Sequence, residues 1–488
     1  MPEPQRPRRV LILATCCLSL LIVGLDNTIV NIALPAIQAE FDASISGLQW
    51  TIDAYTVVLA SLLMLSGSVA DRFGRRRVFQ IGLTVFTVGS LLCSLAPDIG
   101  TLVVFRMVQA VGGSMLNPVA VSIITNTFTK PAERARAIGV WGATVGVGMA
   151  LGPVVGGTLI NVLDWRAIFW INIPIGLTAL LLAALFVPES KAATARRPDL
   201  VGQFLVVVAL AALIYGLIEG PVAGWGSARI LGSFALAAAA TGYLLRYESR
   251  RQEPLLDLRF FRSAPFSGAT VMAVAGFAAM SSYLFLNTLY LQNVRGFSAL
   301  QAGLCTLPMA VMTVLGATLS GRLVGSRGPR LPLLIAGTTM TVSGALLTGL
   351  SDDTALGLLI ASYLAFGIGF GMLNAPVTNA AVSGMPRAQA GVAAAIASTS
   401  RQVGQALGIA VVGSVVISHV DGPLATGFSV ASQVGWWIVF GCGVAVLLVG
   451  ILTTGRWAQA TAETVAAELA AERTTSGTGR TPITTDAH

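Results

Sequence analysis

The sequence has little charge and almost no histidine: 11% of its 488 residues are charged and two are histidine, against roughly 25% charged in a soluble domain. That deficit excludes an ordinary water-soluble fold. With 55% hydrophobic residues and a mean hydropathy of +0.78, most of the chain is expected to lie in lipid. Cysteine is scarce as well. All five cysteines, Cys16, Cys17, Cys93, Cys305 and Cys442, fall inside apolar stretches, which speaks against a disulfide framework or a metal cluster and for packing. No Gly-x-x-x-x-Gly-Lys-Ser/Thr loop occurs, so nothing announces a nucleotide cradle. No polar stretch is long enough for a catalytic domain outside the membrane. An ATP-driven pump and a membrane enzyme are both disfavoured. The formal net charge of +8 is spread over short segments beside apolar runs. Topology and anionic headgroups explain that placement better than a nucleic-acid partner does.

What the chain does have is apolar runs. Fourteen can be placed, taking about 20 residues per bilayer crossing: 10–34, 47–70, 77–96, 100–126, 137–160, 166–187, 200–219, 228–246, 265–290, 299–321, 330–350, 354–376, 388–418 and 433–455. Arg6, Arg8 and Arg9 precede the first run as in a signal peptide, but the run is too long for that and no small-residue cleavage site follows. It is read as span one. If the N-terminus is cytoplasmic, 25 of the 30 basic residues fall in cytoplasmic segments, as the positive-inside bias demands. The outer loops keep Arg166, Arg229 and Arg295, and Arg106 and Arg401 lie within spans. Both termini are therefore expected in the cytoplasm, with the chain in the plasma (inner) membrane.

The run Gly67-Ser-Val-Ala-Asp-Arg-Phe-Gly-Arg-Arg-Arg77 lies between spans two and three, and Gly321 to Arg330 repeats its glycine–arginine character between spans ten and eleven, without the aspartate. A repeat of this kind suggests two six-span bundles that handle substrate between them. The expected organisation is an all-α polytopic membrane protein: a cytoplasmic N-terminus (1–9), an N-terminal six-helix bundle (10–187), linkers carrying an inserted helix pair (188–264), a C-terminal six-helix bundle (265–455) and a tail (456–488). The tail turns Ala/Glu-rich and then Thr/Ser/Gly-rich, reading as a short helix followed by a disordered end.

Four motifs, in order on the expected spans, carry a family resemblance. They are Leu25-Asp-Asn-Thr-Ile-Val-Asn-Ile-Ala-Leu-Pro35 in span one, Gly67 to Arg77, Phe105-Arg-Met-Val-Gln-Ala-Val-Gly-Gly113 in span four, and Gly148-Met-Ala-Leu-Gly-Pro-Val-Val-Gly-Gly157 in span five. The chain resembles the fourteen-span drug:proton antiporters of the major facilitator superfamily, the EmrB/QacA-like branch, from about residue 10 to 455. The resemblance implies the major facilitator fold, and the span-five motif implies antiport rather than import. Some fourteen-span members that handle dications carry extra acids in the second half. Spans ten and thirteen here have none, so a divalent cation substrate is disfavoured.

The residues support a transport reading in their own right. Asp26, in the outer half of span one, costs about 3 kcal/mol to insert and is a functional candidate by default. Removal from water favours the uncharged form of such a carboxylate, which lets it take up a proton unless a cation sits beside it. Asp53 and Arg106 are expected at comparable depth, so that the three form one charge cluster and proton binding biases one conformation against another. Asp71 is expected to latch onto the positive end of a helix in the other bundle, beside Gly67, Arg72, Gly74, Arg75 and Arg76. Gly148, Gly152 and Gly156 leave one face of span five bare for a neighbouring helix, with a kink site at Pro153 and a further glycine at Gly157. Asn27, Asn31, Gln109, Asn117, Asn287, Tyr290, Gln292, Asn374, Asn379 and Gln402 are candidates to line a central cavity. Trp141, Phe277, Tyr283, Phe285, Tyr363 and Phe366 are available for stacking or cation contacts. Arg401 is expected either to face the cavity and attract anionic groups or to pair with Glu219 or another acid, and His419 to be exposed in an outer loop.

The expected function is proton-coupled export of lipophilic monocationic or neutral compounds, such as antibiotics and dyes, by alternating access. The expected partners are these small molecules, protons and membrane lipids. A proton gradient stands in place of any cofactor or metal, and the chain is expected to act as a monomer. Export of an endogenous metabolite is the nearest alternative, and a facilitator or importer on the same fold the next. The preference for arginine over lysine, with much alanine and glycine, points to a high-GC bacterium.

Overall fold

In lipid every backbone N–H and C=O must find its partner inside the segment, so uninterrupted apolar runs have little alternative to the helix. The computed structural model describes residues 6–191, 199–251, 257–383, 390–420 and 424–477, and these form helices and connecting turns. In chain order the helices are α1 (Arg6–Phe41), α2 (Ile45–Phe73), α3 (Arg75–Ser94), α4 (Ile99–Thr127), α5 (Pro131–Val162), α6 (Ala167–Trp170), α7 (Asn172–Phe186), α8 (Leu200–Ala223), α9 (Ala228–Glu248), α10 (Ala264–Leu289), α11 (Ala299–Arg327), α12 (Arg330–Leu347), α13 (Leu356–Val382), α14 (Ala390–His419), α15 (Leu424–Thr453) and α16 (Arg456–Gly477). Among the described residues, 13 helices are long and apolar enough to cross a membrane, counting α6 and α7 as one. α5 is a further helix of 32 residues whose apolar described stretch is Leu151–Val162.

The helices overrun their apolar cores. α1 runs 36 residues and passes through Pro35, well beyond the expected 10–34, and α15 begins at Leu424 rather than near 433. Leu177, Leu181 and Leu185 stand exposed at i, i+4 and i+8 of α7, a stripe suited to acyl chains rather than water. The expected tail helix is present as α16. The disordered end expected after it, from residue 478, lies outside the described residues, as does the loop containing Arg387.

α1 to α5 and α7 pack on one another, and so do α10 to α15; α8 and α9 pair with each other, and α8 lies against α2 and α14. The end carrying Arg8, Arg9 and the arginines at 72 and 75–77 is called the basic end. At the opposite end one core takes in residues of α1, α10, α13, α14 and α15 together, among them Ile29, Leu34, Leu286, Phe366, Val412 and Trp436. Gln292 Nε2 reaches the Ile32 carbonyl across it at 3.0 Å. At the basic end the core splits in two. One part is built on α1–α5 and α7, the other on α10 and α12–α16. The molecule is thus closed at the opposite end and held more loosely at the basic end.

The turn from α2 to α3 shows why its sequence is so constrained. Gly74 has φ +117°, a conformation that a side chain rarely tolerates. A Cβ there would fall 2.6 Å from Glu189 Oε1. Glu189 is where it is because it caps α3, accepting from the backbone N–H of Arg76 (3.2 Å) and Arg77 (3.3 Å), while the Arg75 N–H donates to the Ser190 carbonyl. Nothing in the hairpin's own sequence pointed to Glu189. Gly74→Val is expected to cost about 1–3 kcal/mol for the backbone alone, and Glu189→Ala about 0.5–2 kcal/mol as a lost cap. Thermal unfolding in detergent should rank the two in that order.

Candidate functional site

Asp26 and Arg106 are both buried, 0% and 1% exposed. A carboxylate and a guanidinium placed this deep survive only if paired and hydrogen-bonded. Arg106 Nη1 donates to Asp26 Oδ2 at 2.5 Å and to Gln109 Oε1 at 2.6 Å, and its Nε donates to the Thr51 carbonyl at 3.2 Å. The guanidinium lies over the Tyr55 ring, 4.1 Å from the centroid, with Phe169 at 5.8 Å. On the other side of the carboxylate, Oδ1 accepts from Gln109 Nε2 at 2.9 Å and Asn172 Nδ2 at 3.2 Å. Ser90 Oγ accepts from the same two amides. The network therefore draws on α1, α2, α3, α4 and α7.

Close helix approach makes it possible. Arg106 and Gln109 are three residues apart on α4 and share a face. A Cβ on Gly89 would fall 2.6 Å from Gln109 Cα, so glycine is what lets Ser90 reach the amide. Ser90, Asn172 and Tyr55 escaped the sequence reading; their signal was a polar group deep inside an apolar span.

Asp53 stands apart from the cluster expected for it. It is fully buried, and both carboxylate oxygens lack a hydrogen-bond partner among the described residues. The reason is helical phase. Thr51 and Tyr55 of α2 face Arg106, and Asp53 lies two residues from each, about 200° around the helix. Its face is shared by its i−4 and i+4 neighbours. Gln49 donates to the Ile409 and Ala410 carbonyls of α14, and Val57 packs with Ile214, Ile218, Ala406 and Ala410. Asp53 thus belongs to the seam of α2, α8 and α14.

The other candidates divide. Asn27 and Asn31, with Arg106, line a cavity of about 20 Å³ between α1, α2, α4, α10 and α14, room for about one water. Thr28, Thr56, Ser281 and Gln405 line it too, unanticipated. Gln109 serves the ion pair instead. Asn287 accepts from the Tyr363 hydroxyl, and the Tyr290 hydroxyl donates to the Ser351 carbonyl at 2.8 Å, so both are occupied in the closed end. Asn117 and Asn374 are half-buried on α4 and α13 and do not line the cavity. Asn379 is exposed, as is His419, and Gln402 Oε1 is buried without a partner among the described residues. Arg401 donates to the Thr378 hydroxyl and lies 5.9 Å from the Phe277 ring. It does not pair with Glu219, which accepts from Trp50 Nε1 at 2.8 Å. Tyr283 stacks on Phe366 at 4.3 Å and meets Trp436 edge-on, which makes these aromatics core.

Asp71 accepts from Arg75 Nη2 at 2.8 Å and Nε at 3.1 Å, a bond within its own hairpin rather than to a distant helix end. Arg72 lies over Phe73, and Arg76 Nη2 donates to the Ala184 carbonyl at 2.6 Å. Gly67 faces Pro118 of α4. On α5 the bare face meets α1: a Cβ on Gly148 would lie 3.0 Å from the Leu21 carbonyl, one on Gly152 would overlap Thr28, and one on Gly156 would lie 2.6 Å from Ile29 Cγ1. On an adjoining face of α5, Gly157 abuts the Ala299 carbonyl and Gly303 abuts the Pro153 carbonyl, joining α5 to α11.

Comparison with known proteins is consistent with this geometry. A sequence profile of the Major Facilitator Superfamily matches residues 16–409. The chain is 36% identical over 416 residues to the multidrug resistance protein Stp of Mycobacterium tuberculosis, covering 85% of this chain and 77% of that one. It is 37% identical over 413 residues to the tetracenomycin C resistance and export protein of Streptomyces glaucescens (84% and 76%). To the puromycin resistance protein pur8 of Streptomyces alboniger it is 35% identical over 462 residues (90% of each). Among solved structures, the nucleoside transporter NupG superposes with a TM-score of 0.64 at 13% identity over 91% of this chain and all of that one. A D-xylose–proton symporter gives 0.64 at 18% identity over 90% and 97%.

Proposed function

The chain belongs to the Major Facilitator Superfamily, and from that premise we propose that it is a proton-coupled multidrug exporter of lipophilic compounds in which the Asp26–Arg106 pair carries the coupling. The observation that carries this reading is the pair itself: a fully buried carboxylate held at 2.5 Å by an arginine that also lines the cavity between α1, α2, α4, α10 and α14. Relatives named for multidrug, tetracenomycin and puromycin resistance support export of drug-like molecules.

In this proposal the chain is a fourteen-span antiporter of the EmrB/QacA-like branch. α5 is the span added to the 13 helices that meet the length and hydropathy requirement. α1–α7 and α10–α15 form two six-span bundles, and α8–α9 an inserted pair. The basic end faces the cytoplasm, by the positive-inside bias, with both termini there and the protein in the plasma membrane as a monomer. The structure then corresponds to a state closed to the outside.

The working cycle follows from the contacts. Asp26 and Ile32 share α1, six residues or about 9 Å apart along its axis. Protonating Asp26 removes the charge that holds Arg106, and the attachment of α1 to α4 weakens. The bond from Gln292 to Ile32 and the core around Ile29 and Leu34 are carried on the same helix, so the closed end opens as the pair loosens. Arg106 keeps Gln109 Oε1, the Thr51 carbonyl and the Tyr55 face, which lets the cation persist without its acid. Asp53, buried without a partner among the described residues, takes a second, independent proton. Asp71 with Arg75, and Glu189 as the cap of α3, stiffen the cytoplasmic hairpin during the change, and the α1–α5 glycine contact holds the seam against leakage.

The test is energetic. In proteoliposomes, an imposed proton gradient should drive accumulation of a lipophilic dye against its own gradient, and a protonophore should abolish that accumulation. Equilibration of the dye without accumulation, insensitive to the protonophore, would leave a facilitator.

A further inference from the structure

A second, larger cavity of about 270 Å³ lies away from the ion pair, toward the basic end. Its walls come from α2, α8, α9, α10, α14 and the 3-10 turn Leu258–Arg262 that precedes α10, and include Ser61, Met64, Gln203, Phe261, Thr399 and Val403. α8 and α9 thus supply part of a pocket that the other helices leave unwalled. The volume approaches the roughly 300 Å³ at which small-molecule pockets begin, whereas the cavity beside Arg106 has room for about one water.

The polar inventory of the walls says what the cavity suits. Ser61 and Gln203 are 2% and 4% exposed, and Ser61 Oγ, Gln203 Oε1 and Thr399 Oγ1 are buried without a hydrogen-bond partner among the described residues. Gln203 Nε2 donates to the Ser61 carbonyl, which fixes the amide at the cavity wall and leaves its Oε1 as an unpaired acceptor among the described residues. An acyl chain filling this space would leave all three groups unmatched, each at a cost of about 1–3 kcal/mol. An amphipathic small molecule with an amine or hydroxyl donor and a flat apolar body satisfies them and still buries against Met64, Phe261 and Val403.

We infer that this cavity is a second binding site, for lipophilic compounds bearing hydrogen-bond donors, and that the α8–α9 pair helps to build it. It lies in line with Asp53: Val57, Ser61 and Met64 follow Asp53 down one face of α2 at helical spacing, and Val403 and Ala406 do the same on α14. A ligand here sits about two turns from the unpartnered carboxylate. The inference takes from the proposed function only that lipophilic compounds bind; direction of transport and energy source do not enter.

Ethidium, a lipophilic cation with two aromatic amines, is the probe, with its fluorescence titrated against purified full-length protein in detergent and no gradient. Val403→Trp, which fills the cavity, should weaken binding at least tenfold. Gln203→Leu keeps the volume and removes the acceptor, and should weaken it about tenfold, the value of one buried hydrogen bond. If Val403→Trp fails to fold, Gln203→Leu decides alone. Unchanged affinity in Gln203→Leu overturns the inference. So does phospholipid that co-purifies with the wild type and is lost in Val403→Trp, because the occupant is then an acyl chain. Intact ethidium binding with no proton-driven transport would sink the coupling scheme and spare this site; intact transport with unchanged affinities would do the reverse.

Discussion

Asp26→Asn is expected to abolish substrate-driven proton movement and to lower gradient-driven export by at least about 100-fold. Asparagine has nearly the volume of aspartate and can still accept from Gln109 and Asn172, so the shape of the site survives. What it removes is the charge opposite Arg106 and, in the proposed scheme, the group that takes up the proton. Breaking a buried pair from one side costs about 3–5 kcal/mol, because the partner charge remains, and at about 1.4 kcal/mol per factor of ten that shifts a two-state equilibrium by roughly two to three and a half orders of magnitude. Here the stranded cation still has the Gln109 Oε1, the Thr51 carbonyl and the Tyr55 ring. The protein should therefore fold, and the loss should appear in coupling. Downhill flux of the same compound, measured beside it, is expected to persist. Asp53→Asn should behave differently: it uncharges a carboxylate that has no partner among the described residues, so thermal stability should hold or rise while the number of protons moved per substrate falls.

Gly152→Leu is expected to be the most damaging single change on the α1–α5 seam. A Cβ alone would overlap the Thr28 hydroxyl and come within 2.9 Å of Thr28 Cβ, and Thr28 is itself fixed by bonds to the Gly24 and Leu25 carbonyls. Overpacking in a rigid core costs about 1–3 kcal/mol, and a leucine here must push α1 away from α5 within one turn of Asp26. Folded yield and thermal stability should fall sharply, with Gly152→Ala intermediate. Gly139→Leu, on the same helix with open space around it, is the control and should be near neutral. Because leucine favours the helix more than glycine does, equal losses at 139 and 152 would mean that a bulky side chain anywhere on α5 is damaging and that this contact is not special.

Much of this architecture was legible because lipid imposes a single rule on the backbone: long apolar runs become helices, and the short basic segments between them mark the turns. Helix ends were less legible, since α1 continues through Pro35 to Phe41, past the end of its apolar run. Within the site, Asp26 and Arg106 stood out as charges where charge is expensive. Asp53 stood out for the same reason but was assigned to the wrong neighbours, because depth along a helix says nothing of phase around it; two residues' difference turned it from α4 to α8 and α14. Ser90, Asn172 and Glu189 were hidden for another reason. Serine and asparagine are common in spans and an acid after a span is common in loops, so only the fold gives them partners. Tyr290 and Asn287 were drawn toward a cavity by their polarity, yet they close the opposite end. Two glycine–arginine hairpins suggest a six-span repeat, but the pocket walled in part by α8 and α9 has no local signature, since its lining is drawn from segments between residues 60 and 403.

The account turns on Asp26 exchanging its proton against substrate beside Arg106, and the direct measurement is proton movement in proteoliposomes loaded with a pH-sensitive dye, wild type against Asp26→Asn. A lipophilic substrate added to the wild type should produce proton flux in the opposite direction that disappears in the variant while downhill substrate flux remains. Substrate flux without proton movement, the same in both proteins, would contradict it.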